Sequence, residues 1–161
     1  LLGTGNAEFQ QAFVTSPFQH PYNPQLADLN NDGVLDAITR GAAYGFRVAL
    51  GNGDGSFGPA ELFSHGIRSE LFRIADLNND GFQDLVLESS DDFLLYVYYG
   101  DGSGNYIQYT SISGGSNLQH LVIADVDGDG DLDLMTGNTI IHQYPYSTEL
   151  GISVKFNNYV P

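Results

Sequence analysis

The sequence contains no cysteine and only five lysine and arginine residues among 161. The first absence excludes disulfides, thiol nucleophiles and zinc sites built on thiolates. The second leaves 20 acidic residues largely uncompensated, a formal net charge of −15. Nucleic acid and anionic membrane surfaces are bound through basic patches, so neither is expected as a partner. No apolar run is long enough to insert in a membrane. The opening LLGTGNAEF lacks both the basic segment and the long apolar core of a signal peptide. A processed chain, or a fragment of a longer one, is therefore expected. Helical periodicity over ten or more residues is also missing.

What is present is a core and a repeated acidic motif. At 42% hydrophobic and 12% aromatic residues, the chain is too apolar for an acidic disordered segment and long enough for one folded domain. Eleven of the 20 acidic residues fall in three nine-residue stretches: DLNNDGVLD from Asp28, DLNNDGFQD from Asp76 and DVDGDGDLD from Asp125. Positions one, three, five and nine are Asp28, Asn30, Asp32 and Asp36; then Asp76, Asn78, Asp80 and Asp84; then Asp125, Asp127, Asp129 and Asp133. Position six is glycine each time, Gly33, Gly81 and Gly130, a residue that lets a loop fold back through positive φ. The carbonyl of position seven, from Val34, Phe82 or Asp131, is the further expected ligand, as in other loops of this kind. Packed carboxylates repel one another, and a hard cation taking six to eight oxygens removes that repulsion. Asp- and Asn-rich turns occur without a metal, but three copies in one register point to three Ca²⁺ sites. Mg²⁺ suits the pattern less, since it prefers few carboxylates and several waters. The third loop, with four carboxylates at these positions, is expected to bind most tightly. An EF-hand is excluded: position twelve is Thr39, Leu87 or Thr136 in place of a bidentate glutamate, and the flanks are strand-like.

The motif recurs at steps of 48 and 49 residues, with short runs rich in Val, Ile, Leu, Phe and Tyr on both sides of it. Each run is bounded by Gly, Asn, Asp or Ser, which marks β-strands. Four strands per unit of this length match a blade of a β-propeller. The expected fold is all-β, with blades of four antiparallel strands forming one partial propeller domain over residues 1–161. The units are a half blade at about 1–19, then 20–66, 67–115 and 116–161. In the last unit TIIHQYPY is the expected third strand and LGISVKFNN the fourth. Three and a half blades do not close a ring. The remaining blades are expected from a longer chain or from self-association.

The acidic loop between two short strands, followed by a glycine-rich hairpin such as GNGDGSFGPA, resembles the FG-GAP (VCBS-type) repeats of integrin α-subunit propellers and bacterial surface proteins. Phe57 and Gly58 stand where that family has its Phe-Gly pair, and Phe9 and Tyr106 take the equivalent aromatic position. The resemblance implies a calcium loop between the first and second strands of each blade, on one face of the propeller. It also implies an extracellular or cell-surface location and a protein or glycan ligand bound on the opposite face. Arg40, Tyr44, Arg47, Arg68 and His120 are the candidate ligand residues there.

Other motifs carry less. GDGSFG (53–58) fits G-x-G-x-x-G but lies between strands, where a dinucleotide site needs a strand and a helix. His20, His65, His120 and His142 share no metal-ligand spacing. No Ser-His-Asp arrangement with a nucleophile elbow occurs, and three equivalent acidic clusters do not resemble one asymmetric pair of glycosidase carboxylates. YVYYGDG (96–102) reads as a core strand. The chain is thus expected to be a binding module and not an enzyme. The alternatives are an accessory propeller of a polysaccharide-acting enzyme and a self-associating structural module.

Overall fold

The computed structural model describes residues 2–3, 9–10, 18, 21–41, 45–64, 66–115, 118, 120–143 and 146–157. Every regular element among them is a β-strand. A short hairpin, β1 (Leu2–Gly3) and β2 (Phe9–Gln10), pairs antiparallel; the rest of the expected half blade, Phe18 apart, lies outside the described residues. The first full sheet runs in sequence order through β3 (Tyr22–Ala27), β4 (Asp36–Arg40), β5 (Gly45–Ala49) and β6 (Glu61–Ser64). The second repeats the arrangement with β7 (Phe72–Ala75), β8 (Asp84–Glu88), β9 (Leu94–Gly100) and β10 (Tyr106–Ser113). The third holds β11 (His120–Ala124), β12 (Asp133–Gln143) and β13 (Tyr146–Lys155). Every pairing is antiparallel between neighbours in sequence, the meander of a propeller blade.

The sheets stack face to face, and this explains their composition. All five residues of β8 are buried, because the second blade has a neighbour on each side. Its side chains alternate between the two interfaces. Leu85, Leu87, Tyr98 and Tyr106 join Leu29, Ile38, Phe46 and Val48 of the first blade in one cluster. Val86, Leu95 and Val97 join Leu121 and Leu134 of the third blade in another. The first interface is aromatic: Phe46 meets Phe72 edge-on with centroids 4.8 Å apart, and Phe63 packs edge-on against Tyr98 at 5.3 Å and tilted against Tyr106 at 5.5 Å. In the YVYYGDG strand, Tyr96 and Tyr98 face one cluster, and Val97 and Tyr99 the other.

The Tyr106 hydroxyl is buried and, among the described residues, has no hydrogen-bond partner. An unpartnered buried hydroxyl costs stability. The same hairpin position in the first blade holds Phe57. Tyr106→Phe should therefore stabilise the chain by roughly 1 kcal/mol, read as a higher melting temperature.

The third blade departs from the expectation. TIIHQYPY is not a separate third strand: β12 continues without a break to Gln143 and pairs with β13 from Leu134↔Lys155 to Gln143↔Tyr146. LGISVKFNN therefore contributes to the third strand and does not form a fourth. In the first two blades the sequences GAAYG and SSDDF follow the second strand directly, and β5 and β9 pair back antiparallel on β4 and β8. In the third, GNTIIHQ offers β-branched residues and no such turn signal before Pro145. The outer face of this blade is also more exposed among the described residues. Val126 is 46% exposed, whereas Leu29 and Leu77, at the same loop position, are 4% and 7% exposed beneath the next blade.

Candidate metal centre

Each acidic loop links the first and second strands of a blade, and all are built on one hydrogen-bond frame, with the position-four amide taking the place of position five at Asp125 in the third loop. Position one accepts two loop amides. Asp28 takes those of Asp32 and Gly33 at 3.1 and 2.8 Å. Asp76 takes those of Asp80 and Gly81 at 3.2 and 2.9 Å. Asp125 takes those of Gly128 and Gly130 at 2.7 and 3.2 Å. Position three accepts the amide of position five, on Asn30, Asn78 and Asp127. Position five accepts that of position seven, whose donors are Val34, Phe82 and Asp131. Glycine at position six has φ of 83°, 88° and 96° in the three loops. A second left-handed residue escaped the sequence reading: position four has φ of 61° at Asn31, 55° at Asn79 and 83° at Gly128. Its signal was there, since Asn and Gly are the residues that tolerate this conformation.

Position nine does more than face the loop. Asp36, Asp84 and Asp133 are fully buried. One oxygen of each accepts the amide of position two: Leu29, Leu77 and Val126, each at 2.9 Å. The other accepts an amide at the end of the third strand: Gly51 at 2.8 Å, Gly100 at 3.0 Å and Asn157 at 2.8 Å. Asp36 and Asp84 thus clamp their loops to the outer hairpins of their own blades, and Asp133 clamps its loop to the backbone just after β13. Burial raises the pKa of Asp84; the Gly100 and Leu77 amides oppose the rise, and Asp80 and Asp76 add to it. At Gly51 and Gly100 the backbones pass so closely that a Cβ would collide with the carbonyl oxygens of Leu35 and Gln83.

The loops are also tied to one another. The Asn31 amide donates to the Gly81 carbonyl at 3.4 Å, and the Asn79 amide to the Asp131 carboxylate at 2.8 Å. The next blade caps position two from its own hairpin or strand end: Gly104 N–H donates to Leu29 at 3.1 Å, and the Asn157 side chain to Leu77 at 2.7 Å. None of these inter-blade contacts follows from the motif alone.

The third loop differs at its centre. Asp125, Asp127 and Asp133 each place a carboxylate oxygen within 4.8 Å of the others, the one such group of acids among the described residues. Asp127 is held above the ordinary carboxylate range by partial desolvation and by Asp129, Asp133 and Asp125, against the pull of the Asp129 amide. This cluster can hold a metal ion. In the first and second loops, position three is asparagine, and its amide donates to the position-five carboxylate: Asn30 to Asp32 at 2.9 Å and Asn78 to Asp80 at 2.8 Å.

The connections at the opposite strand ends carry the candidate ligand residues. Arg40 donates to the Ser69 carbonyl at 3.1 Å and lies 5.1 Å from the Tyr22 ring centroid, so it braces one blade against the next. Arg47 is half-buried along Gly41. Arg68 and His120 are exposed. Tyr44 lies outside the described residues. Glu88, at the end of β8, is buried, and that burial raises its pKa; the Glu70 amide and Ser90 hydroxyl oppose the shift, while Glu70 and Asp91 add to it. The protonated form is thus favoured by folding. Its stabilisation is complete below the ordinary glutamate value, about 4.3, and is lost as pH rises through the elevated folded value. Glu88→Gln should raise the melting temperature at pH 7, and the gain should shrink to nothing as pH falls towards about 4.

The stacked four-stranded meanders and the acidic loop opening each blade define a β-propeller-type repeat module. Residues 76–136, which contain the second and third loops, match the family model of the FG-GAP-like repeat; this segment carries FG-GAP-type repeat sequence. A comparison with curated proteins found no match. Among the described residues no helix is long and apolar enough to cross a membrane.

Proposed function

We propose that the chain is a calcium-stabilised propeller module for recognition of a protein or glycan outside the cell or at its surface. The observation that carries the metal reading is the convergence of Asp125, Asp127 and Asp133 within a loop frame present three times. The donor set fits a hard cation: it is all oxygen and acidic, and desolvation, with a smaller push from Asp129, Asp133 and Asp125, raises the pKa of Asp127. Ca²⁺ would be held by positions one, three, five and nine of each loop with the position-seven carbonyl. These are Asp28, Asn30, Asp32, Val34 and Asp36; Asp76, Asn78, Asp80, Phe82 and Asp84; and Asp125, Asp127, Asp129, Asp131 and Asp133. When bound, the ion supplies positive charge to a crowded carboxylate loop. The chain's own residues do the rest: position one gathers the loop amides, and position nine ties the loop to the end of the blade's third strand.

Asp127→Asn converts the third loop to the donor set of the other two. Its calcium affinity should fall by about tenfold, since ligand charge tunes such loops. Calorimetric titration of the variant checks this; an unchanged tight site would show that the third loop owes nothing to its extra carboxylate.

No enzymatic role is proposed. Exposed Arg68 and His120 are the candidate contacts on the edge opposite the loops, and the FG-GAP-type repeat supports an extracellular setting. A glycan array probed with the chain, with and without calcium, tests the recognition half. Binding that requires calcium and is lost in Arg68→Ala supports it; binding unaffected by either change refutes it.

A further inference from the structure

The third blade has three described strands, so β13 is the edge of its sheet. Beside that edge, between the second and third blades, lies a groove of about 470 Å³. Its second-blade wall includes Leu77, Val97, Tyr99, Thr110 and Ile112. The corresponding wall one interface earlier is largely covered, leaving a smaller cavity of about 170 Å³ beside Val48 and Glu61. Leu29 matches Leu77 at loop position two. Val48 and Val97 each lie three residues before the glycine bound to the position-nine aspartate, Gly51 and Gly100. Val48 pairs with Glu61 in one blade and Val97 with Thr110 in the other, so Phe63 and Ile112, two residues further on, also correspond. Leu29, Val48 and Phe63 pack in the cluster that holds Tyr106, an aromatic side chain from the fourth strand of the following blade. The groove therefore occupies, at the second interface, the place that β10 and its Tyr106 fill at the first.

We propose that the β13 edge and this groove form an acceptor site for one further β-strand, which runs antiparallel to β13 and seats an aromatic side chain against Leu77, Val97 and Ile112 as Tyr106 seats against Leu29, Val48 and Phe63. The occupant is an extended segment of the chain's own fourth-strand type. Three observations specify it. The site continues an interface already formed by such a strand. Its wall is apolar in the register that takes an aromatic ring. An edge strand offers main-chain hydrogen bonds, which supply affinity in strand addition while alternate side-chain pockets supply selectivity. The inference rests on the blade register and not on the calcium reading.

The probe is a synthetic peptide of residues 104–114, GNYIQYTSISG, titrated by fluorescence anisotropy against the full chain in calcium. Saturable binding is expected, weakened at least tenfold by Tyr106→Ala in the peptide. Thr110→Lys in the chain, at an exposed position on the groove wall, should weaken it similarly while leaving the circular dichroism spectrum unchanged. Methylation of alternate peptide amides should abolish binding in one register and spare it in the other. If light scattering shows the chain to be a dimer, the peptide must convert it to monomer, and Phe9→Ala, which removes the aromatic at the same hairpin position, must do the same. No binding, equal binding of the Tyr106→Ala peptide, or a dimer indifferent to the peptide overturns the proposal.

Discussion

Chelation is expected to lower the melting temperature of the chain by about 20 °C. A loop with Kd near 10⁻⁵ M, in the range spanned by acidic calcium loops, gains about 2.7 kcal/mol at 1 mM free calcium. Three such loops together match the whole net stability of an ordinary domain, about 5–15 kcal/mol. A domain of this size shifts by a few degrees per kcal/mol. The mechanism is local: each loop places carboxylates where uncharged backbone and asparagine amides are their partners, and position nine carries the loop's order into the blade. Thermal melts in EDTA and in 1 mM calcium check it. Superimposable curves would mean that the amide frame alone holds the loops.

Asp84→Ala should cost about 3–5 kcal/mol without calcium, and more with it, since the variant also loses a ligand of the second loop. The substitution leaves the Leu77 and Gly100 amides without their acceptor, at about 1–3 kcal/mol for each buried orphan, and it opens a cavity in a blade flanked on both sides. Asp80 is exposed and accepts only loop amides. Asp80→Ala should therefore change stability little in EDTA while weakening calcium binding. Denaturant titrations of both variants in both buffers separate the clamp from the ligand. Equal losses confined to the calcium buffer would show that position nine acts through the metal alone.

The blade pattern was legible because it is written in local terms: an acidic nonapeptide, a glycine-rich hairpin and apolar runs recurring at nearly constant steps. The strand order of the first two blades follows from that repetition. The third blade was misread because its second turn carries no glycine-rich signal. A run such as TIIHQ can end one strand or extend another, and only pairing with β13 decides. The second role of Asp36, Asp84 and Asp133 was hidden for a different reason. Their acceptors' partners at Gly51, Gly100 and Asn157 lie 15 to 24 residues away, beyond the motif that identified the loops. Arg40 stood among the candidate ligand residues because four of the five basic residues, Arg40, Arg47, Arg68 and Arg73, fall in or beside the segments opposite the loops. Its contact with Ser69 crosses to the next blade, which no local pattern specifies.

The most direct test is a calcium titration of the EDTA-stripped full chain by isothermal calorimetry, with the wild type and Asp127→Asn side by side. Three ions bound per chain are predicted, the tightest of them weakened selectively in Asp127→Asn. A folded chain that takes up no calcium at millimolar concentration would contradict the account.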